Sequence, residues 1–231
     1  MTTALASLRA ELAALEGRRP AAAAPVVDLG ATAVDAVLPG GGLRLDALHE
    51  IAGDAAATGF LAGLLGRMRR RPGLLVWCGQ RHGWQEGGLP YPPALARRGV
   101  PVERLLLVEV ERSADLLRAI EDSLRSRAAM AVVAEDMALD LTASRRLQLA
   151  AEAAETPVFA LRRGAEARIP PTAAATRWTV TAQPGGRCLA RLDRCRGAQT
   201  AGRQWCLEWN DATLCFDLAA PLADRPGAAA E

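Results

Sequence analysis

The chain has 231 residues, a formal net charge of +2 and a 23% share of charged residues, which fit one soluble domain with small appendages. No apolar run approaches the roughly 20 residues that a membrane-spanning helix needs. The N-terminus lacks the basic start and apolar middle of a signal peptide. We therefore expect a cytoplasmic protein without membrane contact.

Two residue types on which many enzymes depend are absent or scarce. The sequence contains no lysine, so all 28 basic residues are arginines, and any mechanism that requires a lysine is excluded. Only His49 and His82 are available for zinc binding or for acid–base catalysis by histidine. The five cysteines form no CxxC pair, and we expect them to be reduced thiols in the core.

The first predicted element is a short amphipathic helix. Its apolar stripe recurs at spacings of three and four residues and consists of Leu5, Leu8, Leu12 and Leu15. The stretch RRPAAAAP at 18–25 is typical of a linker, so residues 1–25 form an appendage. Because a helix of about 14 residues is marginal alone, the stripe must dock, either on the chain's own core or on a partner.

From Val26 onward, predicted strands and helices alternate. Strands are expected at 48–51, 74–78, 105–110, 130–135 and 157–162. Helices are expected after a Gly/Ala turn that follows the first of these strands, with Phe60 and Leu64 on one face, at 113–127 with Ser113 as its cap, and at 142–155. Residues 79–93 hold four glycines and three prolines and are expected to be irregular. After residue 173 the pattern changes to four short strands that favour antiparallel pairing.

This order of elements predicts an α/β fold. Strands separated by helices form a mostly parallel central sheet flanked by those helices, and the late strands close it as antiparallel neighbours. We assign this domain to residues 26–217, followed by a disordered tail at 218–231.

The segment HEIAGDAAATGFLAGLL at 49–65 lies where an open α/β sheet binds its ligand, between a strand and the next helix. A working phosphate loop reads GxxxxGK followed by Ser or Thr. Counting from Gly53 places Asp54 inside the loop, Thr58 at the second glycine, Gly59 at the lysine and Phe60 at the magnesium-binding hydroxyl. Because only the first glycine remains, we expect no efficient ATP hydrolysis.

Two further acidic positions of such an ATPase also differ. The strand at 74–78 runs into Gln80 instead of a carboxylate that could orient the attacking water. Ala134 stands where the magnesium-coordinating aspartate should be, and Glu135 and Asp136 after it are expected at the surface. We therefore predict no catalytic residues, no metal and no cofactor, and a protein that acts by binding.

Four segments carry a resemblance to known families. Residues 28–53, DLGATAVDAVLPGGGLRLDALHEIAG, resemble the start of the RecA core, with an aspartate-led turn, a helix, a glycine-rich turn and a strand. Residues 139–153, 173–180 and 187–209 are similar to the ImuA family of damage-inducible mutagenesis proteins, which are degenerate RecA relatives. The resemblance covers about 28–210 and implies a RecA-like core with a degenerate Walker A motif.

The resemblance also implies a function. It points to an accessory protein of SOS-induced translesion DNA synthesis, which takes part in mutagenesis and DNA repair. The implied partners are an ImuB-like inactive lesion-bypass polymerase subunit, an error-prone replicative-type DNA polymerase and RecA. Two alternatives stay open: a SulA-like inhibitor of cell division that is induced by DNA damage, and a RecA-like ATPase that binds DNA.

Candidate surfaces for partners or DNA are the N-terminal leucine stripe and two groups of arginines. The arginines are Arg145, Arg146, Arg191, Arg194 and Arg196. Direct DNA contact is possible through them, although a net charge of +2 is too small to make it the default. Trp205 and Trp209, on one side of a late strand, are expected to pack in the core and not to stack on bases.

The pair Arg145 and Arg146 lies inside the helix expected at 142–155. We expect the apolar residues of this region to face the core, and these are Leu141, Leu147, Leu149 and Ala150. The two arginines are then exposed or paired with the acidic residues that follow the strand at 130–135. Docking of a partner at this pair is a hypothesis that the sequence alone suggests.

Overall fold

The computed structural model describes residues 24–164, 171–198 and 202–219. Its strands are β1 (Val26–Val27), β2 (Leu43–Arg44), β3 (Leu48–Gly53), β4 (Leu74–Gln80), β5 (Leu105–Val110), β6 (Ala129–Glu135), β7 (Val158–Arg163), β8 (Thr176–Gln183), β9 (Arg187–Cys195), β10 (Arg203–Asn210) and β11 (Cys215–Leu218). Its helices are α1 (Thr32–Asp35), α2 (Ala55–Arg67), α3 (Arg81–Gly87), α4 (Pro92–Arg97), α5 (Ser113–Arg125) and α6 (Leu141–Ala154). Short 3-10 turns lie at Pro39–Gly41, Val102–Arg104 and Pro184–Gly186.

Two of the predicted segments are not covered by this description. The N-terminal leucine stripe lies outside the described residues, and so does the predicted tail from residue 220. No helix within the three described stretches has the length and apolar character that crossing a membrane requires.

Nine of the described strands form one sheet in the order β11-β10-β9-β8-β3-β7-β6-β4-β5. The strands from β8 to β5 in this order are parallel, whereas β9, β10 and β11 pair antiparallel. At the centre, His49 of β3 lies opposite Phe159 of β7 and Thr176 of β8. β1 and β2 form a separate antiparallel pair. The predicted α/β fold, with a mostly parallel central sheet, flanking helices and antiparallel strands at the C-terminal end, is therefore confirmed.

Apolar side chains cover the central strands on both faces. On one face α2 buries Phe60 and Leu64 against a cluster that includes Trp77 and Trp178. On the other face α5 and α6 pack on the sheet, and Ile120 belongs to their shared cluster. Central strands such as β3 and β6 are buried along their whole length, which is why their sequences are continuous apolar runs interrupted by only a few polar residues.

Helix α2 is held close to its neighbours through two glycines. A Cβ atom at Gly63 would lie 2.5 Å from the ring of Phe216, and one at Gly66 would lie 1.8 Å from the carbonyl oxygen of Arg98. Only glycine permits these approaches, since both distances are far below van der Waals contact. The close fit fixes α2, and with it the loop at the end of β3, against the antiparallel strands.

The structure corrects the expectation that residues 79–93 are irregular. This segment contains α3 and the start of α4, with Pro92 in the first turn of α4 and a positive φ of 81° at Gly88 between the helices. A proline in the first helical turn loses no hydrogen bond, so it starts a helix as readily as it ends one.

The helices at the other face begin and end within two residues of their predicted bounds, but one cap differs. Ser113 does not cap α5, because Arg112 holds the cap position and no side chain caps that end. In α6, by contrast, the carboxylate of Asp140 accepts a hydrogen bond from the backbone N–H of Ala143 at 2.6 Å.

Candidate functional site

The carboxyl ends of the parallel strands define the place where a ligand is expected. β3 ends at Gly53, directly before α2, and β4 ends at Gln80. β6 ends at Glu135 and its neighbour β7 ends at Arg163. Parallel strands end at the same edge of a sheet, and open α/β sheets bind ligands there. The structure therefore brings most of the predicted site residues together at this carboxyl edge.

The N-terminus of α2 already holds a negative charge. Asp54 caps the helix, with its Oδ1 accepting from the backbone N–H of Ala56 at 2.8 Å. The backbone N–H of Ala182 also donates to this carboxylate, 2.8 Å from Oδ2 and 3.1 Å from Oδ1. A helix N-terminus favours an anion by about 0.3–1 kcal/mol, and here the protein's own carboxylate takes that position. A phosphate at the same point would meet a fixed like charge.

The three substituted positions of the loop lie on α2. Thr58 is half-buried, and Gly59 accepts a hydrogen bond at its carbonyl oxygen from Nη1 of Arg98 at 3.2 Å. Phe60 is buried, with its ring centroid 5.5 Å from that of Trp178. The side chain at position 60 therefore points into the core and not toward a ligand at the helix end.

Arg98 is a cation beside the loop that the sequence did not single out. Its guanidinium carbon lies 5.2 Å from the ring centroid of Trp209, in a cation–π contact, and burial lowers its pKa. It follows α4 in a run of arginines, so nothing in the local sequence distinguishes it from its exposed neighbour Arg97. Its contacts join α2 to β10 and are structural.

Glu135 is buried, with only 6% of its surface exposed, which corrects the expectation of a surface residue. Its Oε2 accepts hydrogen bonds from the indole N–H groups of Trp77 at 2.8 Å and Trp84 at 2.9 Å. Its Oε1 forms an ion pair with Nη2 of Arg163 at 2.5 Å. A carboxylate can be buried at this position because two indole donors and one guanidinium charge, from three different elements, surround it.

The tryptophan that reaches Glu135 from α3 lies directly on the end of β4. A Cβ atom at Gly79 would be 2.3 Å from the indole of Trp84, so the absence of a side chain there makes room for the ring. A Cβ atom at Gly87, at the end of α3, would likewise overlap the guanidinium group of Arg163. Helix α3 thus covers the carboxyl ends of β4, β6 and β7 through a cluster of Trp77, Trp84, Glu135 and Arg163, which we call the edge cluster.

Asp136, the residue after β6, is exposed as expected but is also engaged. It accepts hydrogen bonds from the backbone N–H of Arg163 at 2.8 Å and from Nε of the same residue at 3.0 Å. Ala134, at the position of the expected magnesium ligand, is fully buried. Gln80 at the end of β4 is half-buried. None of these residues offers a free carboxylate at the edge.

A cavity of about 270 Å³ opens beside the edge cluster. It is lined by Asp136, Met137, Ala138, Arg162, Arg163 and Gly164. Within the described residues, no group of three or more His, Cys, Asp or Glu side chains is placed to hold a metal ion. Two of the charged groups that line this cavity, Asp136 and Arg163, are paired with each other, and Arg163 also contacts Glu135 beside it.

The arginines of α6 lie away from the edge cluster, on the outer side of the helix. Arg145 and Arg146 are exposed, and Arg146 forms an ion pair with Glu121 of α5 at 2.8 Å. The alternative pairing of the two arginines with Glu135 or Asp136 is therefore wrong for Arg146. Glu121 lies on a different helix, which the sequence could not place.

The apolar residues at the two ends of this pair are exposed as well. Leu141 has 56% of its surface exposed and Leu149 has 52%, although both were expected to face the core. The buried face of α6 consists of Ser144, Leu147, Gln148 and Ala151. Polar side chains suit this face because Gln148 Oε1 accepts from the backbone N–H of Leu48 at 3.0 Å, and Ser144 Oγ accepts from that of Ala173.

The arginines near the closing strands are bound into local contacts. Arg191 Nε donates to Asp193 at 2.6 Å, and Arg194 donates to the carbonyl oxygen of Thr172. Arg196 is exposed in the turn after β9, and all three arginines retain exposed surface.

The tryptophans of β10 pack in the core, as expected. The ring centroid of Trp205 lies 6.1 Å from that of Trp178, and the Trp209 ring meets Phe216 edge-on at 5.0 Å.

The five cysteines are free thiols, as expected, but only Cys78 and Cys195 are fully buried. Burial raises the pKa of Cys78 to about 12, so it is a protonated, unreactive thiol at neutral pH.

Comparison with known proteins gives a clear relationship. The chain is 33% identical over 237 aligned positions to Protein ImuA of Caulobacter vibrioides strain NA1000 / CB15N, with 90% of this chain and 94% of that protein covered. The same values hold for Protein ImuA of Caulobacter vibrioides strain ATCC 19089 / CIP 103742 / CB 15. No family model matches the chain.

Proposed function

The chain belongs to the ImuA family, and from this premise we propose that it is a non-catalytic adaptor of the SOS-induced complex for mutagenic translesion DNA synthesis. Membership of the family supports a role in damage-inducible mutagenesis. The finer proposal is that the protein works in the cytoplasm by binding partners. These are an ImuB-like inactive polymerase subunit, an error-prone replicative-type DNA polymerase and RecA.

The observation that carries the non-catalytic part of the proposal is the occupied carboxyl edge. Asp54 places a carboxylate at the N-terminus of α2, and Glu135 is engaged by two indole N–H groups and by Arg163. To coordinate a magnesium ion, Glu135 would have to give up two hydrogen bonds worth about 1.5–3 kcal/mol each. With no lysine in the chain to compensate on the phosphate side, this arrangement favours a protein without ATP turnover.

The adaptor part of the proposal needs surfaces, and two groups of exposed arginines provide candidates. One consists of Arg145 and Arg146 on α6, and the other of Arg191, Arg194 and Arg196 at β9 and the turn after it. Arginines bind carboxylates and phosphates equally well through their planar guanidinium groups. Both groups could therefore contact an acidic protein surface, and the second could contact DNA.

Two measurements test the proposal. The first is single-turnover ATP hydrolysis by the full-length protein with and without single-stranded DNA, for which we expect no turnover above the buffer blank. The second is co-purification of the full-length protein with the ImuB-like subunit and, separately, with RecA. Robust hydrolysis would overturn the non-catalytic assignment. Retention of neither the ImuB-like subunit nor RecA would overturn the adaptor assignment.

The arginine groups can be compared by matched variants in the same assay. Arg145→Ala with Arg146→Ala removes two charges from α6, and Arg97→Ala with Arg118→Ala removes two exposed charges from α4 and α5 as a control. We expect weaker retention of the ImuB-like subunit for the first pair alone. Equal retention by both double variants would exclude α6 as the docking surface.

A further inference from the structure

The outer side of α6 carries an apolar stripe that the described fold leaves uncovered. Leu141, Arg145 and Leu149 follow one another at intervals of four residues, so they lie on one face of the helix along about 12 Å. Both leucines are more than half exposed. On the neighbouring helix α5, by contrast, Leu116, Leu124 and the isoleucine between them are buried. We call Leu141, Arg145 and Leu149 the outer stripe.

The charge in the middle of the outer stripe has no ion pair within the part of the chain that the structure describes. The neighbouring Arg146 pairs with Glu121, whereas Arg145 is exposed and takes no part in that contact. A segment that covers the outer stripe should therefore carry apolar side chains around one acidic residue.

The chain itself holds a segment of this kind outside the described residues. The predicted leucine stripe at residues 3–16 contains Glu11, three positions after Leu8 and four before Leu15. On a helix these spacings place the carboxylate beside the leucines. The N-terminal segment is thus complementary to the outer stripe in both apolar character and charge.

The point where this segment joins the fold lies next to α6. The carbonyl oxygen of Pro25 accepts from the backbone N–H of Leu45 at 2.8 Å, and Val26 pairs with Arg44. The carbonyl oxygen of Arg44 contacts Nε2 of His49 at 2.8 Å, and the backbone N–H of Leu48, the residue before His49, donates to Gln148 of α6 at 3.0 Å. The first described residues therefore lie beside the start of β3, where α6 contacts this strand.

The lengths also agree. Residues 17–23 can span up to about 23–25 Å when extended. As a helix, the stretch from Leu5 to Leu15 would be about 15 Å long, against about 12 Å for the outer stripe. The linker therefore lets the N-terminal segment reach any surface within about 23–25 Å of Ala24.

We propose that residues 3–16 dock as an amphipathic helix on the outer stripe of α6 in the same chain. The leucines of the segment cover Leu141 and Leu149, and Glu11 lies beside Arg145. The docking answers which of the two possible surfaces the N-terminal stripe uses. It covers Arg145, so that of the two arginines on α6 only Arg146 stays open to a partner.

Disulfide cross-linking of the full-length chain tests the proposal. Leu12→Cys with Leu149→Cys should form an intramolecular disulfide under mild oxidation. The control is Leu12→Cys with Arg97→Cys, because Arg97 is 80% exposed on α4, which packs at the opposite face of the sheet. Mass spectrometry of the digested protein quantifies each link and separates it from links to native cysteines. We expect at least tenfold more of the 12–149 link than of the 12–97 link.

Mixing isotopically heavy and light protein distinguishes the possible occupants. The absence of mixed heavy–light links supports docking in the same chain. Mixed links that make up about half of the total, as random pairing of the two isotopic forms gives, would mean that a second copy supplies the segment. Yields equal to the control would mean that another segment or a partner covers the stripe. Either result overturns the proposal.

A charge exchange tests the contact between Glu11 and Arg145. Arg145→Glu in the cross-linking background should lower the yield of the 12–149 link several-fold, and Glu11→Arg added to it should restore the yield. Circular dichroism shows whether the variants keep the fold, which we expect because position 145 is exposed. Failure of the second substitution to restore the link would exclude this pairing.

Discussion

The carboxyl edge of the sheet and the outer stripe of α6 use their side chains in opposite ways. At the edge, Glu135 forms an ion pair with Arg163 and accepts hydrogen bonds from the indoles of Trp77 and Trp84. On the outer stripe, the described residues leave two leucines more than half exposed and give Arg145 no ion pair. The region where α/β proteins of this kind bind ligands is thus internally satisfied, while a peripheral helix presents unsatisfied groups.

This contrast distinguishes a region whose polar groups already have partners from a region that can still gain contacts. A site that already contains its own anion and its own arginine gains little from a ligand that brings the same groups. An exposed apolar stripe, however, gains free energy from any complementary surface that removes it from water. Substitutions in the two regions should therefore differ in kind: those at the edge should change stability, and those on α6 should change association.

The largest effect is expected from removing the carboxylate of the edge cluster. Glu135→Ala leaves Arg163 without this counter-charge and two indole N–H groups without an acceptor, so the free energy of unfolding should fall by about 3–5 kcal/mol. Urea denaturation followed by tryptophan fluorescence measures the loss. Asp136→Ala, in the next position and exposed, is the matched control and should cost less. A loss below about 1 kcal/mol for Glu135→Ala would contradict the role of the edge cluster.

The next effect concerns a buried residue at the opposite end of β3, which must stay uncharged. His49 Nε2 contacts the carbonyl oxygen of Arg44 and Nδ1 contacts the hydroxyl of Thr176, both at 2.8 Å. Because a carbonyl oxygen only accepts, Nε2 carries the proton and Nδ1 accepts from the hydroxyl. Burial lowers the pKa of His49 from 6.5 to about 4. The neutral imidazole is therefore the form that fits the core.

Stability should consequently fall with acid in a defined range. Between pH 6.5 and about 4 the unfolded chain binds a proton at His49 that the folded chain does not, so the contribution of His49 is complete above pH 6.5 and is lost below it. From pH 7 to pH 5 the loss is about 2 kcal/mol. Urea midpoints at both pH values measure it, and His49→Gln should reduce the difference. If His49→Gln loses as much stability between pH 7 and pH 5 as the original protein, other groups cause the acid sensitivity.

The contrast between the two regions also separates what the sequence could predict from what it could not. The strand–loop–helix at β3 and α2 was predicted because it depends on local apolar runs and on spacing within one segment. The contacts of Glu135 were not, because its indole partners lie 58 and 51 positions earlier in the chain. Those contacts exist only after α3 folds over the edge, in a segment whose glycines and prolines indicated an irregular loop.

For helix α6 the prediction of the buried face was wrong. Its apolar residues suggested a buried face, but the buried face is defined by Gln148 and Ser144, which satisfy backbone N–H groups of other segments. A polar residue can be a core residue when a backbone donor from elsewhere in the chain lies opposite it. Hydrophobic periodicity carries no information about such a donor, so Leu141 and Leu149 were placed on the wrong side.

A smaller effect is expected at the N-terminus of α2. Asp54→Ala removes the cap and should lower the free energy of unfolding by about 1 kcal/mol. Asp54→Asn keeps a capping oxygen but removes the charge, so it should stay near the stability of the original protein. The melting temperature in the presence and absence of inorganic pyrophosphate tests whether the N-terminus of α2 binds an anion. We expect no change for the original protein and a small increase for Asp54→Asn. An equal shift for both proteins would show that Asp54 does not exclude the anion.

The smallest effect is expected at the exposed ion pair beside the outer stripe. Arg146 and Glu121 join α6 to α5 at 2.8 Å, but the arginine side chain is 55% exposed, so solvent screens the interaction. A double-mutant cycle of Arg146→Ala and Glu121→Ala should give a coupling of about 0.2–1 kcal/mol, measured by urea denaturation. Coupling well above this range would mean that the α5–α6 surface stabilises the fold. Coupling within it leaves Arg146 free to be replaced without unfolding the protein, so that any loss of association in its variants reports on binding alone.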